Sequence, residues 1–342
     1  MPIHAFTQPR GRIETFEIAS EALRGNLLGD PTTRTVAVYL PAGYDESTAD
    51  YPLFVDLVGF TGSGLAHIAW KGFGESVPQR VDRLMAEGKL GPVIVALPDC
   101  FTSLGGNQYV NSAATGHWAD FLTREMLPAI EARYRVRARR TARALFGKSS
   151  GGYGAVAHGM LEAQHWGAVA CHSGDMAFEW CYLPEMPAVL NHLSGFDNDI
   201  GKFLAHLREA RKVQGKDLHI LMTLAMAATY DPAPQAPSGI RLPVDPGTCE
   251  LIQERWDRWL AMDPVRLVER ADVQESLGSL EGLYIDCGSV DQYNLVYGAR
   301  RLARRLGELG IDHHYEEFDD DHSSIDYRMD VSLPWLFERV SE

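Results

Sequence analysis

Two adjacent serines among glycines, in "ALFGKSSGGYGAVAHG" (Ala144 to Gly159), are the residues of this 342-residue chain whose types and spacing most directly suggest chemistry. Gly147, Lys148, Ser149, Ser150 and Gly151 satisfy G-x-S-x-G, after an apolar run and before a small-residue, helix-forming run. In that context the pattern predicts a nucleophile elbow, a strained strand-to-helix turn that lifts one serine hydroxyl above a sheet while small neighbours avoid clashes. The helix N-terminus also aims backbone N–H groups and a positive dipole end at developing negative charge. A phosphate-cradling loop would need a further glycine upstream that is missing here, and the glycines do not fall at G-x-G-x-x-G spacing. A glycine-rich helix start that only packs closely is the structural alternative.

A serine hydroxyl is a poor nucleophile at neutral pH. It needs an imidazole base, which in turn needs a carboxylate to fix its tautomer and stabilise its cation. After an elbow of this type the partners follow in the order acid, then histidine. Of twelve histidines, His322 lies in the polar stretch "FDDDHSSIDYR" beyond the last expected strand, where a base could reach back over the sheet edge. For the acid, "LYIDCGSVDQYN" offers Asp286 within a strand and Asp291 beyond its carboxyl end. Functional groups of open α/β sheets gather outside the carboxyl ends of strands, which favours Asp291 and leaves Asp286 in or beside the core. An oxyanion would need two N–H donors. Ser150 supplies one, and the loop "GFTGSG" the other through Phe60, with Thr61 as runner-up.

The elements that must position these groups are short β-rich runs alternating with helical ones, the pattern of a mostly parallel sheet covered on both faces. Expected strands are Arg34 to Pro41, Pro52 to Gly59, Pro92 to Pro98, Ala142 to Gly147, Gly167 to Gly174, Leu218 to Ala225, Gly282 to Gly288 and His313 to Asp319, with "RIETFEIAS" as an antiparallel start. We read residues 1–342 as a single α/β domain in which 176–273 form a cap-like insertion over one end of the sheet. The Pro-rich Tyr230 to Thr248 is expected as a long surface loop. Trp180, Tyr182, Trp256 and Trp259 are candidate walls of the substrate site, although aromatic residues at such spacing often only pack. Leu251, Ile252, Trp256, Trp259 and Leu260 form an apolar helical stripe that would face either the sheet domain or a second copy in a homodimer.

The formal net charge of −14 argues against a nucleic-acid surface. The five cysteines are scattered and lack metal-ligand or disulfide spacing, so neither a metal nor a disulfide framework is expected. No apolar run reaches the ~18 residues of a membrane span, and the first residues lack an apolar core after a basic start. The expectation is a cytoplasmic protein without membrane contact.

In "RTVAVYLPAGYD", "GFTGSG", "NQYVNSAATGHWADFLTREMLPAIEARY", "GKSSGGYGA", "CGSVDQYN" and "DDDHSSIDYR" the chain resembles the "Putative esterase" family of α/β-hydrolases. That family takes in enterochelin-esterase-like proteins, S-formylglutathione hydrolases and the mycolyltransferases of the antigen 85 complex. The resemblance implies an α/β-hydrolase fold, no cofactor, Ser149 as nucleophile, Asp291 as acid, His322 as base, and the amides of Phe60 and Ser150 as oxyanion hole. Many relatives carry His before the nucleophile and Met after it, where this chain has Lys148 and Ser150. The expected activity is hydrolysis of a small-molecule carboxylic ester through an acyl-enzyme. The same triad would serve an acyltransferase or thioesterase, and a non-catalytic binding protein on the same fold is the reading from another class.

Overall fold

The computed structural model describes residues 10–341. Eight strands form one sheet: β1 (Arg12–Ala19), β2 (Thr33–Leu40), β3 (Leu53–Leu57), β4 (Ile94–Pro98), β5 (Arg143–Lys148), β6 (Ala168–His172), β7 (Gly282–Gly288) and β8 (His314–Phe318). Their order is β1-β2-β4-β3-β5-β6-β7-β8. Strand β2 runs antiparallel to both neighbours, and every other pairing is parallel. This is the α/β-hydrolase arrangement. The edge strand β1 alternates between more and less exposed residues, whereas β3, β4, β6 and β7 are buried throughout. That difference explains why the central strands read as continuous apolar runs, since both their faces are covered.

Because side chains alternate along a strand, each face has its own core. Phe54, Val95, Ala144, Phe146, Ala168, Ala170 and Tyr284 face one way and meet α1 (Val77–Ala86), through Val81 and Leu84, and the C-terminal helix, through Leu333 and Leu336. Val55, Ile94, Leu145, Val169 and Ile285 face the other way, in a core shared with α2 (Ser150–Leu161) and with the segment between β6 and β7.

That segment corrects one expectation. Leu218 to Ala225 is no strand: it lies within α3, Gly215–Tyr230, a 16-residue helix that starts at a Gln214/Asp217 capping box. A helix buried along most of its length lacks the apolar stripe that betrays a surface helix, so a short window of it mimics a buried strand. The Pro-rich stretch that follows is irregular as expected, yet it is not simply a surface loop. Ile240, Leu242 and Val244 are buried, and the wholly buried Asp231 receives Arg241 Nε at 2.7 Å and Nη2 at 2.6 Å, with Arg258 Nη1 at 3.1 Å. Two guanidinium groups on one interior carboxylate thus tie the loop to α4 (Gln253–Leu260). Two more helices complete the elements used below, α5 (Leu295–Leu309) after β7 and α6 (Met329–Val340) at the C-terminus.

Among the described residues, no helix is long and apolar enough to cross a membrane. None of the five cysteines is in a disulfide, and no group of three His, Cys, Asp or Glu among the described residues could hold a metal ion.

Candidate active site

At the end of β5 the chain turns into α2 through Ser149, whose φ of 57° and ψ of −124° lie in a region that non-glycine residues avoid at a cost of about 1–3 kcal/mol. The turn is held on one side by the Ser149 amide, which donates to the His172 carbonyl at 2.9 Å. On the other side α2 lies against β3 so closely that a Cβ on Gly151 would stand 1.8 Å from the Leu57 carbonyl oxygen. Only glycine fits there. A Cβ on Gly59, in the loop after β3, would contact the Ser149 Cβ at 3.5 Å, which places that loop's backbone beside the serine.

Ser149 opens onto a cavity of about 460 Å³, a size typical of small-molecule sites. His322 lines the same cavity, as do Phe60 and Thr61. His322 Nδ1 donates to Asp291 Oδ2 at 2.7 Å, while Asp291 Oδ1 accepts the Tyr293 amide at 2.9 Å. The His322 amide in turn donates to the Gln292 side chain at 2.9 Å, so both loops are mutually anchored. With Nδ1 donating to a carboxylate, the neutral ring presents Nε2 as an acceptor. Neither the Phe60 nor the Ser150 amide donates to an acceptor among the described residues. Both therefore remain available to a ligand. The Ser150 side chain is engaged instead in the interior, where its Oγ accepts from Gln108 Nε2 at 2.9 Å.

Of the four aromatic residues expected as walls, Tyr182 lines the cavity and Trp180, Trp256 and Trp259 do not. Trp259 and Trp256 are buried against one another with ring centroids 5.7 Å apart, and Trp259 continues into a cluster with Tyr182 and Tyr230. Trp180 is 54% exposed on the outside. The stripe of α4 thus packs inward through its two tryptophans, leaving Leu251 exposed. Besides Tyr182, the segment between β6 and β7 lines the cavity through Cys181, Leu218, His219 and Met222. The last three belong to α3, where the sequence suggests a strand.

Asp286 takes no part in the cavity. It is wholly buried on the α6 face, paired with His172 Nδ1 at 2.7 Å and Arg328 Nε at 2.9 Å.

Two polar groupings at the cavity carry no motif in the sequence. Asp175, just past the carboxyl end of β6, accepts from the Tyr182 hydroxyl at 2.8 Å and Gln108 Nε2 at 3.2 Å, and burial raises its pKa. The strand-end rule that selected Asp291 would have found it. The second grouping is charged: Lys71 Nζ pairs with Asp326 at 3.2 Å, His67 Nδ1 meets Asp56 at 2.5 Å, and Lys148 stands beside them. Asp56 lies in β3, His67 and Lys71 in the segment after it, Lys148 at the end of β5 and Asp326 in the turn before α6, so no single local spacing links them. His158, by contrast, is a core residue. It accepts from Trp166 Nε1 at 3.1 Å and donates to the Tyr109 carbonyl at 2.8 Å, and burial lowers its pKa to about 4.

This fold and chain length are similar to those of known hydrolases. A ferulic acid esterase is 19% identical with a TM-score of 0.61, the match covering 96% of this chain and 98% of the other. An S-formylglutathione hydrolase from Agrobacterium tumefaciens is 16% identical with a TM-score of 0.58, covering 99% and 100%. FphF, a fluorophosphonate-binding serine hydrolase of Staphylococcus aureus, is 13% identical with a TM-score of 0.57, covering 96% and 98%. At such identities the likeness establishes the fold, while a sequence model of the family described as "Putative esterase" matches residues 31–332. The chain belongs to the "Putative esterase" family, on an α/β-hydrolase fold.

Proposed function

We propose that the protein is a serine carboxylesterase. The observation that carries this is the strained Ser149 at the mouth of α2, opening onto the same cavity as a histidine whose far nitrogen is held by Asp291. Membership of an esterase family and likeness to a ferulic acid esterase and an S-formylglutathione hydrolase support ester cleavage as the reaction class.

In the proposed reaction the Ser149 oxygen attacks the ester carbonyl carbon as its proton passes to His322 Nε2. The developing imidazolium is stabilised by Asp291, which stays ionised. The carbonyl oxygen becomes an oxyanion that accepts from the Phe60 and Ser150 amides, a contribution of about 3–4 kcal/mol per donor in comparable sites. Collapse breaks the bond to the leaving oxygen, which takes the proton from His322 and departs as an alcohol. A water molecule then gives its proton to the same nitrogen as it attacks the acyl-enzyme carbonyl, and collapse breaks the bond to the Ser149 oxygen, which takes that proton back from His322 as the acid is released. No step needs a metal or an organic cofactor. The five free cysteines fit a reducing, cytoplasmic setting.

The test is labelling of the folded protein with a fluorophosphonate, followed by peptide mapping, alongside hydrolysis of 4-nitrophenyl esters. We expect one label, on Ser149, and matching loss of turnover. A protein that leaves Ser149 unlabelled would refute the esterase reading.

A further inference from the structure

Lys148 stands where many relatives carry histidine, and its surroundings give it a use. It is the last residue of β5, in register with His172, which is in register with Asp286. Alternation along the strands places Phe146 on the α1/α6 face, so Lys148, two residues on, leaves the sheet on that same side. Its side chain reaches the cavity there, beside the charged pairs Lys71/Asp326 and His67/Asp56. Burial lowers the pKa of the Lys148 ammonium, opposed by Asp326, Asp291 and Asp321.

Each of those acids is engaged elsewhere. Asp326 is held by Lys71, Asp291 by His322, and Asp321 accepts the Ser323 amide at 2.6 Å. The Lys148 side chain forms no hydrogen bond or ion pair among the described residues. Burial also pushes the His67 pKa down, but Asp56 and Asp326 outweigh it and leave it raised. Lys71 is paired with Asp326 and His67 with Asp56, so among these cations Lys148 is the one whose side chain has no ion pair among the described residues. A half-buried ammonium without a direct ion pair loses hydration and is repaid only by carboxylates already bound elsewhere, an arrangement that persists where a ligand supplies a closer charge.

Building on the assignment of Ser149 as nucleophile, we propose that Lys148 is a specificity-determining residue that binds a carboxylate carried by the ester substrate. Leu218, Met222 and Leu295 in the same cavity would take the hydrocarbon part. The substrate class is therefore a small ester with an apolar body and a free carboxylate within reach of the scissile bond, on either its acyl or its alcohol side.

Two matched ester pairs test this, each pair differing only by methylation of the carboxylate. 4-Nitrophenyl hydrogen glutarate against its methyl ester places the charge on the acyl side, and 4-acetoxybenzoate against its methyl ester places it on the alcohol side. Wild type should favour the anionic member of at least one pair by ~10-fold in kcat/KM, as a charge-assisted hydrogen bond would. In Lys148→Met that ratio should fall by about 10-fold, chiefly through KM, and Lys148→Arg should keep most of it. Reading a ratio cancels any disturbance of the elbow common to both esters. Lys148→Gln replaces the methionine variant if the latter does not fold. A wild type that favours the neutral esters, a ratio unmoved by the substitution, or an arginine variant as unselective as methionine would overturn the proposal. Calorimetric binding of monoethyl and diethyl glutarate to Ser149→Ala, with and without Lys148→Met, separates the two readings. Tighter binding of the anion that needs Lys148, in a protein that turns over no ester, would sustain the anion site while refuting the esterase. Equal binding of the two glutarates would remove the anion site.

Discussion

Among the described residues two serine-histidine-aspartate sets can be compared, one facing the cavity and one buried in the interior. In the first, His322 Nδ1 lies 2.7 Å from Asp291, with Ser149 across the same opening. In the second, His172 Nδ1 lies 2.7 Å from Asp286 and His172 Nε2 lies 2.8 Å from the hydroxyl of Ser332 in α6. By side-chain distances the second is the more complete, since its serine-histidine bond is formed, while Ser149 makes no side-chain hydrogen bond among the described residues. What it lacks is everything else. Ser332, His172 and Asp286 are 0%, 2% and 0% exposed, and Arg328 and the Tyr284 hydroxyl also bind Asp286, at 2.9 and 3.1 Å. Ser332 lies inside a helix, with no strained turn and no free amides directed at a shared space. Three residue types at hydrogen-bond distance do not make a nucleophile. Access, a turn that exposes the hydroxyl, and idle N–H donors do.

The largest expected effect separates the two serines. Ser149→Ala should lower kcat by at least ~10³-fold, because the step that forms the acyl-enzyme has no substitute nucleophile. Ser332→Ala should leave kcat within about 3-fold, as substitutions away from reacting atoms do when the site keeps its shape. Steady-state hydrolysis of one 4-nitrophenyl ester by both variants is the measurement. A Ser332 variant as inactive as the Ser149 variant would mean that the buried set supports the cavity far more directly than its geometry indicates.

The two aspartates should differ in kind. Asp291→Asn is expected to lose about 10³–10⁴-fold in kcat, because the amide favours the wrong histidine tautomer, with little change in melting temperature. Asp286→Asn should instead lose about 3 kcal/mol of stability, since it leaves a buried guanidinium without its interior partner. We take the lower end of the range for such losses because Glu316 still holds Arg328 at 2.8 Å. The acid limb of stability gives an independent reading. Burial alone would raise the Asp286 pKa, but His172 and Arg328 overcome it and hold the pKa below its ordinary value of 3.8. A carboxylate with a depressed folded-state pKa contributes stability that is complete above the unfolded value and lost as pH falls through the folded one. Wild type should therefore lose stability on acidification below pH 3.8 more steeply than Asp286→Asn, as urea melts across that range would record. Parallel curves would remove Asp286 from the acid response.

The same contrast bears on what a sequence discloses. That Ser149 sits on a strand-to-helix turn and that Asp291 meets His322 was legible because an elbow is a local motif and because strand ends and chain order narrow its partners. The sheet was legible because strands buried on both faces read as apolar runs. The buried set was not, although Asp286 was read as a core residue. His172 and Asp286 meet through strand register, and Ser332 joins them from α6, so nothing in their spacing announces the contact. The cavity wall was obscured for another reason. Helix α3 is buried on most sides, so its residues 218–225 carry no helical stripe, and the Gln214/Asp217 capping box was the one local sign of its start. Tryptophan content pointed to walls at Trp256 and Trp259, but large apolar rings gain most by full burial, and that is where they lie.

The smallest effect concerns what Ser332 does if it is not a nucleophile. His172 Nδ1 must donate to the Asp286 carboxylate, and Nε2 shares a hydrogen bond with the Ser332 hydroxyl at 2.8 Å. Removing that hydroxyl leaves a wholly enclosed ring nitrogen without a partner, at a cost of about 1–2 kcal/mol. Alanine is the better helix former in α6 and returns about 0.5 kcal/mol. The net loss expected for Ser332→Ala is therefore about 1 kcal/mol, measurable as a lower urea midpoint with an unchanged m-value. The ring also anchors the elbow indirectly, because the His172 carbonyl receives the Ser149 amide. If the hydroxyl only completes an interior network, fluorophosphonate labelling of Ser149 should proceed in Ser332→Ala at the wild-type rate. Slower labelling at full folding would instead show that the buried set braces the exposed one, through β6, at the residue where the turn begins.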